Sequence, residues 1–234
     1  MRTLLSARNL TGGYDSTRIL SDCSIEVGSG EVAVIVGPNG AGKSTAMKAI
    51  LGMIKLSSGS VIFQGEDVTS LPPQSRVVRG IAMVPQNHNV FTSLTVEENL
   101  EIGAHLRTDD LYASLEQVYG LFPVLKEKRG QIGGDLSGGQ RQQLAVGRAL
   151  MTQPDLLMLD EPTAGVSPIV MNEIFEQVLR IRDKGIGILI VEQNARQALS
   201  IADIGYLLIN GKNSYTAKGD ELLDNLDVRQ SFIG

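Results

Sequence analysis

Cysteine, tryptophan and long apolar runs are scarce or missing in this chain of 234 residues. There is no tryptophan, and the one cysteine, Cys23, excludes an internal disulfide and suits a reducing compartment. No apolar run approaches the roughly 20 residues that a membrane-spanning helix needs, and the first residues lack the apolar centre of a signal peptide. We therefore expect a chain that relies on another protein for any work across a membrane.

Basic residues are outnumbered, because 21 Lys and Arg face 26 Asp and Glu, for a formal net charge of −5. This acidic balance argues against nucleic acid as the main partner. The hydrophobic content of 42% and the charged content of 20% are ordinary for a globular protein with one core, or one core and a small lobe.

Strand patterns dominate the first 80 residues. The segments "LLSARNL", "SDCSIEV" and "SVIFQGEDV" are typical of short strands, the last one following a turn predicted at 57–59. The unbroken apolar segment "EVAVIV" fits a strand of a sheet that is buried on both faces. A glycine-rich loop at 37–45 follows it, and a helix is predicted from 46 to about 53.

Helical patterns replace the strands between about 94 and 152, beginning with a capping box formed by Thr95 and Glu98. Strand–helix alternation then returns: "LLML" precedes a helix predicted over 169–184, "IGILIVE" precedes one over 195–201, and "GYLLIN" closes the set. Such alternation indicates a parallel sheet with helices on its faces. We predict one domain, with residues 1–86 and 154–234 as the core and residues 87–153 as an inserted helical subdomain.

The segment "GPNGAGKS" fits the phosphate-loop pattern G-x-x-x-x-G-K-[ST] between a buried strand and a helix. Its glycines let backbone N–H groups surround phosphates, Lys43 reaches the β and γ oxygens, and the Ser44 hydroxyl ligates Mg²⁺. A glycine turn that only caps a helix is the alternative. The predicted nucleotide-binding residues of the loop are Gly37, Pro38, Asn39, Gly40, Ala41, Gly42, Lys43, Ser44 and Thr45.

Two carboxylates end the apolar strand in "DLLMLDEP". We predict that Asp160 holds Mg²⁺ and that Glu161 polarises the attacking water as the general base. Solvated carboxylates at a strand end are the alternative. No Asn-Lys-x-Asp sequence for recognising guanine occurs, and the insert ends in a second glycine turn rather than a kinase lid, so a GTPase or a small-molecule kinase is disfavoured.

The second glycine turn is "LSGGQ" at 136–140, at the start of a predicted helix. Ser137 is a good N-cap, and Gly138 and Gly139 leave N–H groups uncovered at the positive end of the helix dipole. This pattern indicates a second anion site, with a merely capped helix start as the alternative.

These motifs, with Gln86 after "IAMVP" and "LMLDEPT" further on, stand in the order found in ATP-binding cassette (ABC) ATPases, which the chain resembles over its whole length. The resemblance implies a P-loop NTPase α/β core with an N-terminal antiparallel β subdomain and an inserted helical subdomain. It also implies ATP and Mg²⁺ as cofactors.

The resemblance carries further roles onto matching positions. It implies that Tyr14 stacks on adenine and that Gln86 senses Mg²⁺ and the γ-phosphate, so that the Mg²⁺ residues are Ser44, Gln86 and Asp160. It implies that the second glycine turn closes over the ATP of a partner cassette in a dimer. The residues of that turn are Ser137, Gly138, Gly139 and Gln140.

Two positions depart from the family pattern. Gln193 stands where most cassettes have a histidine that contacts the γ-phosphate. An amide can donate a hydrogen bond, but unlike histidine it cannot take up a proton or become positively charged. The only histidines, His88 and His105, lie in the predicted insert, and the segment "AGVSP" lacks the usual aspartate near Ser167. We count Gln193 as catalytic and expect these changes to limit symmetric hydrolysis.

The segments "DEPTAGVSP", "LIVEQNARQALSIAD" and "DVRQSFIG" resemble the ATP-binding subunits of branched-chain amino-acid importers, the LivF type. The resemblance implies a peripheral subunit at the cytoplasmic face of the cell membrane. Its implied partners are two integral membrane permease subunits, a second and different cassette (or a second copy), and indirectly a periplasmic substrate-binding protein.

Three alternatives stay open. Importers of urea and short amides use similar cassettes, and lipopolysaccharide-export cassettes have similar C-terminal tails but usually keep the histidine. A cassette ATPase that acts on ribosomes or DNA is a different class. Such proteins generally carry two cassettes or a coiled-coil insert, and this sequence has neither.

Overall fold

Two sheets organise the chain, which a computed structural model describes at residues 2–15, 17–87, 89–226 and 228. The elements are β1 (Thr3–Tyr14), β2 (Thr17–Gly28), β3 (Val32–Val36), α1 (Lys43–Leu51), β4 (Leu56–Phe63), β5 (Glu66–Asp67), α2 (Pro73–Val78), β6 (Ile81–Val84), α3 (Val96–Gly103), α4 (Tyr112–Leu121), α5 (Pro123–Glu127), a 3-10 turn (Gly133–Asp135), α6 (Gly138–Leu150), β7 (Leu156–Asp160), α7 (Pro168–Arg182), β8 (Gly187–Glu192), α8 (Ala195–Leu199), β9 (Ile204–Ile209), β10 (Lys212–Ala217) and α9 (Gly219–Asp224).

The larger sheet has the strand order β10-β9-β3-β8-β7-β6 and is parallel except for β10, which pairs antiparallel with β9. Strands β3, β7 and β8 are buried along their whole length, as expected for a parallel sheet covered on both faces. The predicted α/β class is confirmed, and β10 is an edge strand that the sequence pattern did not predict. Because parallel strands end at one edge, the loops after β3, β7 and β8 meet there.

The period-two alternation of β3 divides the interior into two cores. Val32, Val34 and Val36 pack into a core that includes residues of α3 to α7. Ala33 and Ile35 pack into a second core with α1, β1 and β2. The strand β3, which leads into the phosphate loop, is therefore anchored by its side chains in both cores.

The N-terminal sheet is antiparallel with the order β2-β1-β4-β5, which confirms the predicted β subdomain. The turn predicted at 57–59 is wrong, because these residues lie inside β4. Gly59 has a φ of 100°, and a Cβ there would lie 2.6 Å from the carbonyl oxygen of Asn9. The pairing of β1 with β4 shifts register between Arg8 and Thr11, around the positive φ of Asn9, so the glycine accommodates a bulge within a continuous strand.

Between β6 and β7, the described residues form α3 to α6 and the 3-10 turn, with no strand of either sheet. The capping box is confirmed, because Thr95 Oγ1 accepts from Glu98 N–H and Glu98 Oε2 accepts from Thr95 N–H. His88 lies outside the described residues, as does all of the ending "DVRQSFIG" except Val228. Among the helices described, none is both long and apolar enough to cross a bilayer.

Candidate nucleotide-binding site

The glycine-rich loop joins the buried end of β3 to α1, which begins at Lys43 rather than at the predicted 46. Gly42 is the N-cap of α1 with a φ of 97°, and Gly40 has a φ of 82°, both in the left-handed region that favours glycine. No atom of the described residues lies within 4 Å of a Cβ added at Gly40. The loop therefore presents open backbone at the N-terminus of α1, beside a cavity of about 240 Å³ lined by Ile19, Gly40, Ala41, Gly42, Lys43, Ser44 and Thr45.

Lys43 is held beneath this loop. Its Nζ donates to the carbonyl oxygens of Gly37 at 2.7 Å and of Pro38 at 3.3 Å. Burial lowers the pKa of Lys43, and the negative charges of Glu161, Asp160 and Glu192 oppose this shift. The ammonium thus lies among three carboxylates of the same sheet edge.

The ends of β6 and β7 bring the remaining predicted polar groups to the loop. Ser44 Oγ donates to Asp160 Oδ1 at 2.7 Å, although the two residues are 116 positions apart. Gln86 Nε2 donates to Glu161 Oε2 at 2.6 Å across 75 positions. Glu161 has a φ of 47°, a conformation uncommon for residues other than glycine, and its N–H donates to Val191 O at 2.9 Å.

These residues suit a divalent cation that is bound together with phosphate. The hydroxyl of Ser44, the carboxylate of Asp160 and the amide of Gln86 offer the hard oxygen atoms that Mg²⁺ prefers. No group of three or more His, Cys, Asp or Glu within the described ranges could hold a metal ion by itself. Since Mg²⁺ is usually held by one or two carboxylates and substrate phosphates, the donor set fits Mg²⁺ carried by a nucleotide.

The second glycine turn begins α6. Ser137 is its N-cap, as predicted: Ser137 Oγ accepts from Gln140 N–H at 3.3 Å, and Gln140 Oε1 accepts from Ser137 N–H at 3.1 Å. Ser137 and Gly138 are exposed, whereas a Cβ at Gly139 would lie 2.7 Å from Cγ1 of Val170 on α7. None of the hydrogen bonds of the described residues joins this turn to the phosphate loop.

Tyr14 ends β1 and is 45% exposed. Lys48 of α1 places its Nζ 5.8 Å from the centre of the Tyr14 ring. The ring also lines a cavity of about 630 Å³ with residues that include Gly13 and Met53. An exposed aromatic ring beside α1, the helix that follows the phosphate loop, can stack on a planar base.

Gln193 follows β8 and is exposed. Its N–H donates to Glu192 Oε2 at 3.1 Å, and its carbonyl oxygen accepts from Ala195 N–H at 3.0 Å. Glu192, only 2% exposed, is a residue of this site that the sequence analysis missed. Its signal was an acidic residue ending the apolar run "GILIV", parallel to the way Asp160 ends "LLML".

Comparisons with known proteins agree with this geometry. A family model described as ABC transporter matches residues 20–164. The high-affinity branched-chain amino acid transport ATP-binding protein BraG of Pseudomonas aeruginosa is 42% identical, over 99% of this chain and 100% of that protein. The probable branched-chain amino acid transport ATP-binding protein LivF of Archaeoglobus fulgidus is 41% identical, over 99% of each chain.

Two further similarities are more distant. The lipopolysaccharide export system ATP-binding protein LptB of Haemophilus influenzae is 34% identical, over 99% of this chain and 98% of that protein. The crystal structure of the ADP conformation of an ATP-binding cassette of an ABC transporter superposes with a TM-score of 0.89 at 30% identity, over 100% of both chains.

Proposed function

Because this chain belongs to the ABC transporter family and is an ATP-hydrolysing cassette, we propose that it is the ATP-binding subunit that powers a branched-chain amino-acid importer. The observation that supports ATP hydrolysis is a pair of hydrogen bonds at the phosphate loop, from Ser44 to Asp160 and from Gln86 to Glu161. The cargo is supported by relatives at 42% and 41% identity that are named for branched-chain amino acids, against 34% for the lipopolysaccharide exporter.

ATP binds with its phosphates in the loop at 37–45 and its adenine against Tyr14. The backbone N–H groups of the loop and the N-terminus of α1 face the phosphate oxygens. Lys43 Nζ exchanges the carbonyls of Gly37 and Pro38 for the β and γ oxygens. Burial strengthens the attraction between the Lys43 ammonium and the phosphates, because electrostatic attraction is stronger where water is excluded.

Hydrolysis depends on Ser44 in the first turn of α1 and on groups at or just after the ends of β6, β7 and β8. Ser44, Asp160 and Gln86 would hold Mg²⁺, which neutralises the charge of the phosphates when bound. Glu161 accepts the proton of the attacking water, and the amide of Gln86 orients its carboxylate. Gln193 donates a neutral hydrogen bond to the γ-phosphate, in place of the histidine that is common in the family.

The turn at 137–140 serves the ATP of a partner cassette. Its N-cap Ser137 and Gly138 are exposed, which leaves them open to a second protein, and each protomer then contributes halves of two different sites. We propose a dimer with a second, different cassette or with a second copy. The dimer sits at the cytoplasmic face of the cell membrane on two integral membrane permease subunits, and a periplasmic binding protein delivers the cargo.

The replacement Glu161→Gln tests the chemistry. We expect ATP turnover to fall by on the order of 10²–10⁴, the usual contribution of a general base, with ATP binding retained. Lys43→Ala is expected to weaken ATP binding itself. The matched control is Glu173→Gln, an exposed glutamate on α7, which should keep wild-type turnover. Unchanged turnover in Glu161→Gln would show that another group is the base.

Affinity purification from solubilised native membranes tests the assembly. Two integral membrane proteins, a second cassette and a periplasmic binding protein are expected to co-purify, and the ligand of the binding protein identifies the cargo. Recovery of lipopolysaccharide-export components would replace the importer with an exporter. Sedimentation with ribosomes or DNA would contradict a transport role.

A further inference from the structure

Glu192 is a buried carboxylate at the end of β8, at the sheet edge where the nucleotide site lies. Asp160 pairs with Val191 in the register of β7 and β8, so Glu192 lies one position beyond the level of Asp160. In the register of β3 and β8 it pairs with Val36, the last residue before the phosphate loop. The strand thus delivers a third carboxylate to the edge that holds Asp160 and Glu161.

The carboxylate of Glu192 joins two segments of the site. Its Oε1 accepts from Thr163 N–H at 3.0 Å and from Thr163 Oγ1 at 2.8 Å, and its Oε2 accepts from Gln193 N–H at 3.1 Å. Thr163 is itself buried and stands two positions after Glu161. One side chain therefore connects the turn that carries Glu161 with the backbone that carries Gln193.

The electrostatic setting indicates a role beyond packing. Burial raises the pKa of Glu192, the hydrogen bonds from Thr163 and Gln193 oppose this, and the nearby charge of Glu161 adds to it. Burial lowers the pKa of Lys43, and Glu192 is one of the three carboxylates whose charges oppose that shift. An apolar side chain would fill the same space without the cost of desolvating a carboxylate, but it could accept none of the three hydrogen bonds.

We propose that Glu192 is a positioning residue for ATP hydrolysis, which holds the turn of Glu161 and the residue Gln193 in one frame. The base and the amide donor then meet the γ-phosphate in a fixed relative geometry. The inference rests on the proposed function, which makes Glu161 the base. It assigns Glu192 no contact with substrate, since Thr163 and Gln193 N–H take up its oxygen atoms.

The test is Glu192→Gln, measured in the full chain together with the partners that co-purify from membranes. The amide oxygen can still accept from Thr163, but its NH₂ group would face the N–H of Gln193, and two donors cannot pair. Small misplacements of reacting groups can cost on the order of 10²-fold. We expect kcat to fall by about 10- to 100-fold, with KM for ATP within about twofold of wild type.

Thr163 supplies an independent variant. Thr163→Val removes the hydroxyl donor and is expected to lower kcat in the same direction, whereas Thr163→Ser keeps the hydroxyl and should retain most of the activity. If both residues act through one contact, the double variant Glu192→Gln/Thr163→Val loses less than the product of the two single losses. Should Glu192→Gln fail to fold, the pair Thr163→Val and Thr163→Ser still tests the contact.

The matched control is Glu31→Gln. The pKa of Glu31 is also raised by burial, and its Oε2 accepts from Gly28 N–H at 3.1 Å, but it precedes β3 at the opposite edge of the sheet. Its kcat should stay at the wild-type value. The inference would be overturned by a wild-type kcat in Glu192→Gln, or by a rise in KM as large as the fall in kcat. In either case, a loss of turnover in Glu161→Gln would leave the proposed function standing. Unchanged turnover in Glu161→Gln would overturn the proposed function itself.

Discussion

Replacing Arg76 with methionine would remove a guanidinium that closes the end of α1. Arg76 is 2% exposed. Its Nη1 donates to the carbonyl oxygens of Ala49 at 3.1 Å and Ile50 at 2.6 Å, in the last turn of the helix. Its Nε and Nη2 donate to Leu71 O at 3.0 Å and Thr69 O at 2.7 Å. The last carbonyls of a helix have no partner within it, and a cation at this end is stabilising.

The magnitude follows from the acceptors that the change leaves behind. Methionine fills similar volume and donates nothing, so four carbonyls lose a donor, of which Ala49 O keeps the hydrogen bond from Gly52 N–H at 3.0 Å. A buried acceptor without a partner costs about 1–3 kcal/mol, while removing the desolvated guanidinium offsets part of this. We expect the free energy of unfolding to fall by about 3–5 kcal/mol, which lowers Tm by about 6–20 °C.

Urea and thermal unfolding followed by circular dichroism measure this loss. The matched control is Arg79→Met, because Arg79 is exposed and its carboxylate partner is Glu66 at 3.4 Å. A surface ion pair contributes about 0–1 kcal/mol. Arg76→Lys should lose most of the stability too, since one ammonium cannot replace the planar fork of donors. A loss below about 1 kcal/mol in Arg76→Met would refute the assigned role of these hydrogen bonds.

Two further predictions concern other buried groups. Asn99→Leu should lower the free energy of unfolding by about 2–4 kcal/mol and speed proteolysis near Phe91. The reason is that the fully buried amide of Asn99 donates to the carbonyls of Phe91, Leu94 and Thr95 and accepts from Phe91 N–H. Equal urea midpoints for the variant and the wild type would contradict this. Cys23 should resist alkylation at pH 8.5 in the native protein and react in urea. Burial, together with a smaller effect of the Asp22 charge, raises the pKa of Cys23 to about 12, so the thiol stays protonated. Mass spectrometry of the labelled chain measures the reaction, and rapid labelling of the native protein would show that the thiol is accessible.

The sequence alone was sufficient for features that depend on neighbours in the chain. The phosphate loop, the capping box at Thr95 and the N-cap at Ser137 are set by residues a few positions apart, and the structure has the box and the N-cap where the pattern predicted them. The alternation of apolar strands and amphipathic helices predicted the α/β class for the same reason, because side-chain period reports the local backbone. The start of α1 was placed three positions late, because glycine at position 42 reads as loop but serves as the N-cap.

Features that depend on distant partners were predicted wrongly or missed. A turn was predicted at 57–59 from its serines and glycine, but pairing with β1 keeps these residues in β4. The strand β10 has little apolar signal of its own and forms because β9 offers an unpaired edge. The sequence analysis did not single out Arg76, because the α1 carbonyls to which it donates lie 26 and 27 positions earlier in the chain.

What this sequence determined by itself was an ABC cassette with a phosphate loop, a following pair of carboxylates and a second glycine turn, since each motif is a short run of residues with its own chemistry. The family resemblance implied that Ser44, Gln86 and Asp160 share Mg²⁺, but only the tertiary structure gives the direct contacts: Ser44 with Asp160, Gln86 with Glu161, and Thr163 with Glu192. Those contacts join residues 29 to 116 positions apart. Parallel strands bring their carboxyl ends to one edge of the sheet wherever they occur in the chain. A short stretch of sequence therefore cannot show which distant residues will meet at that edge.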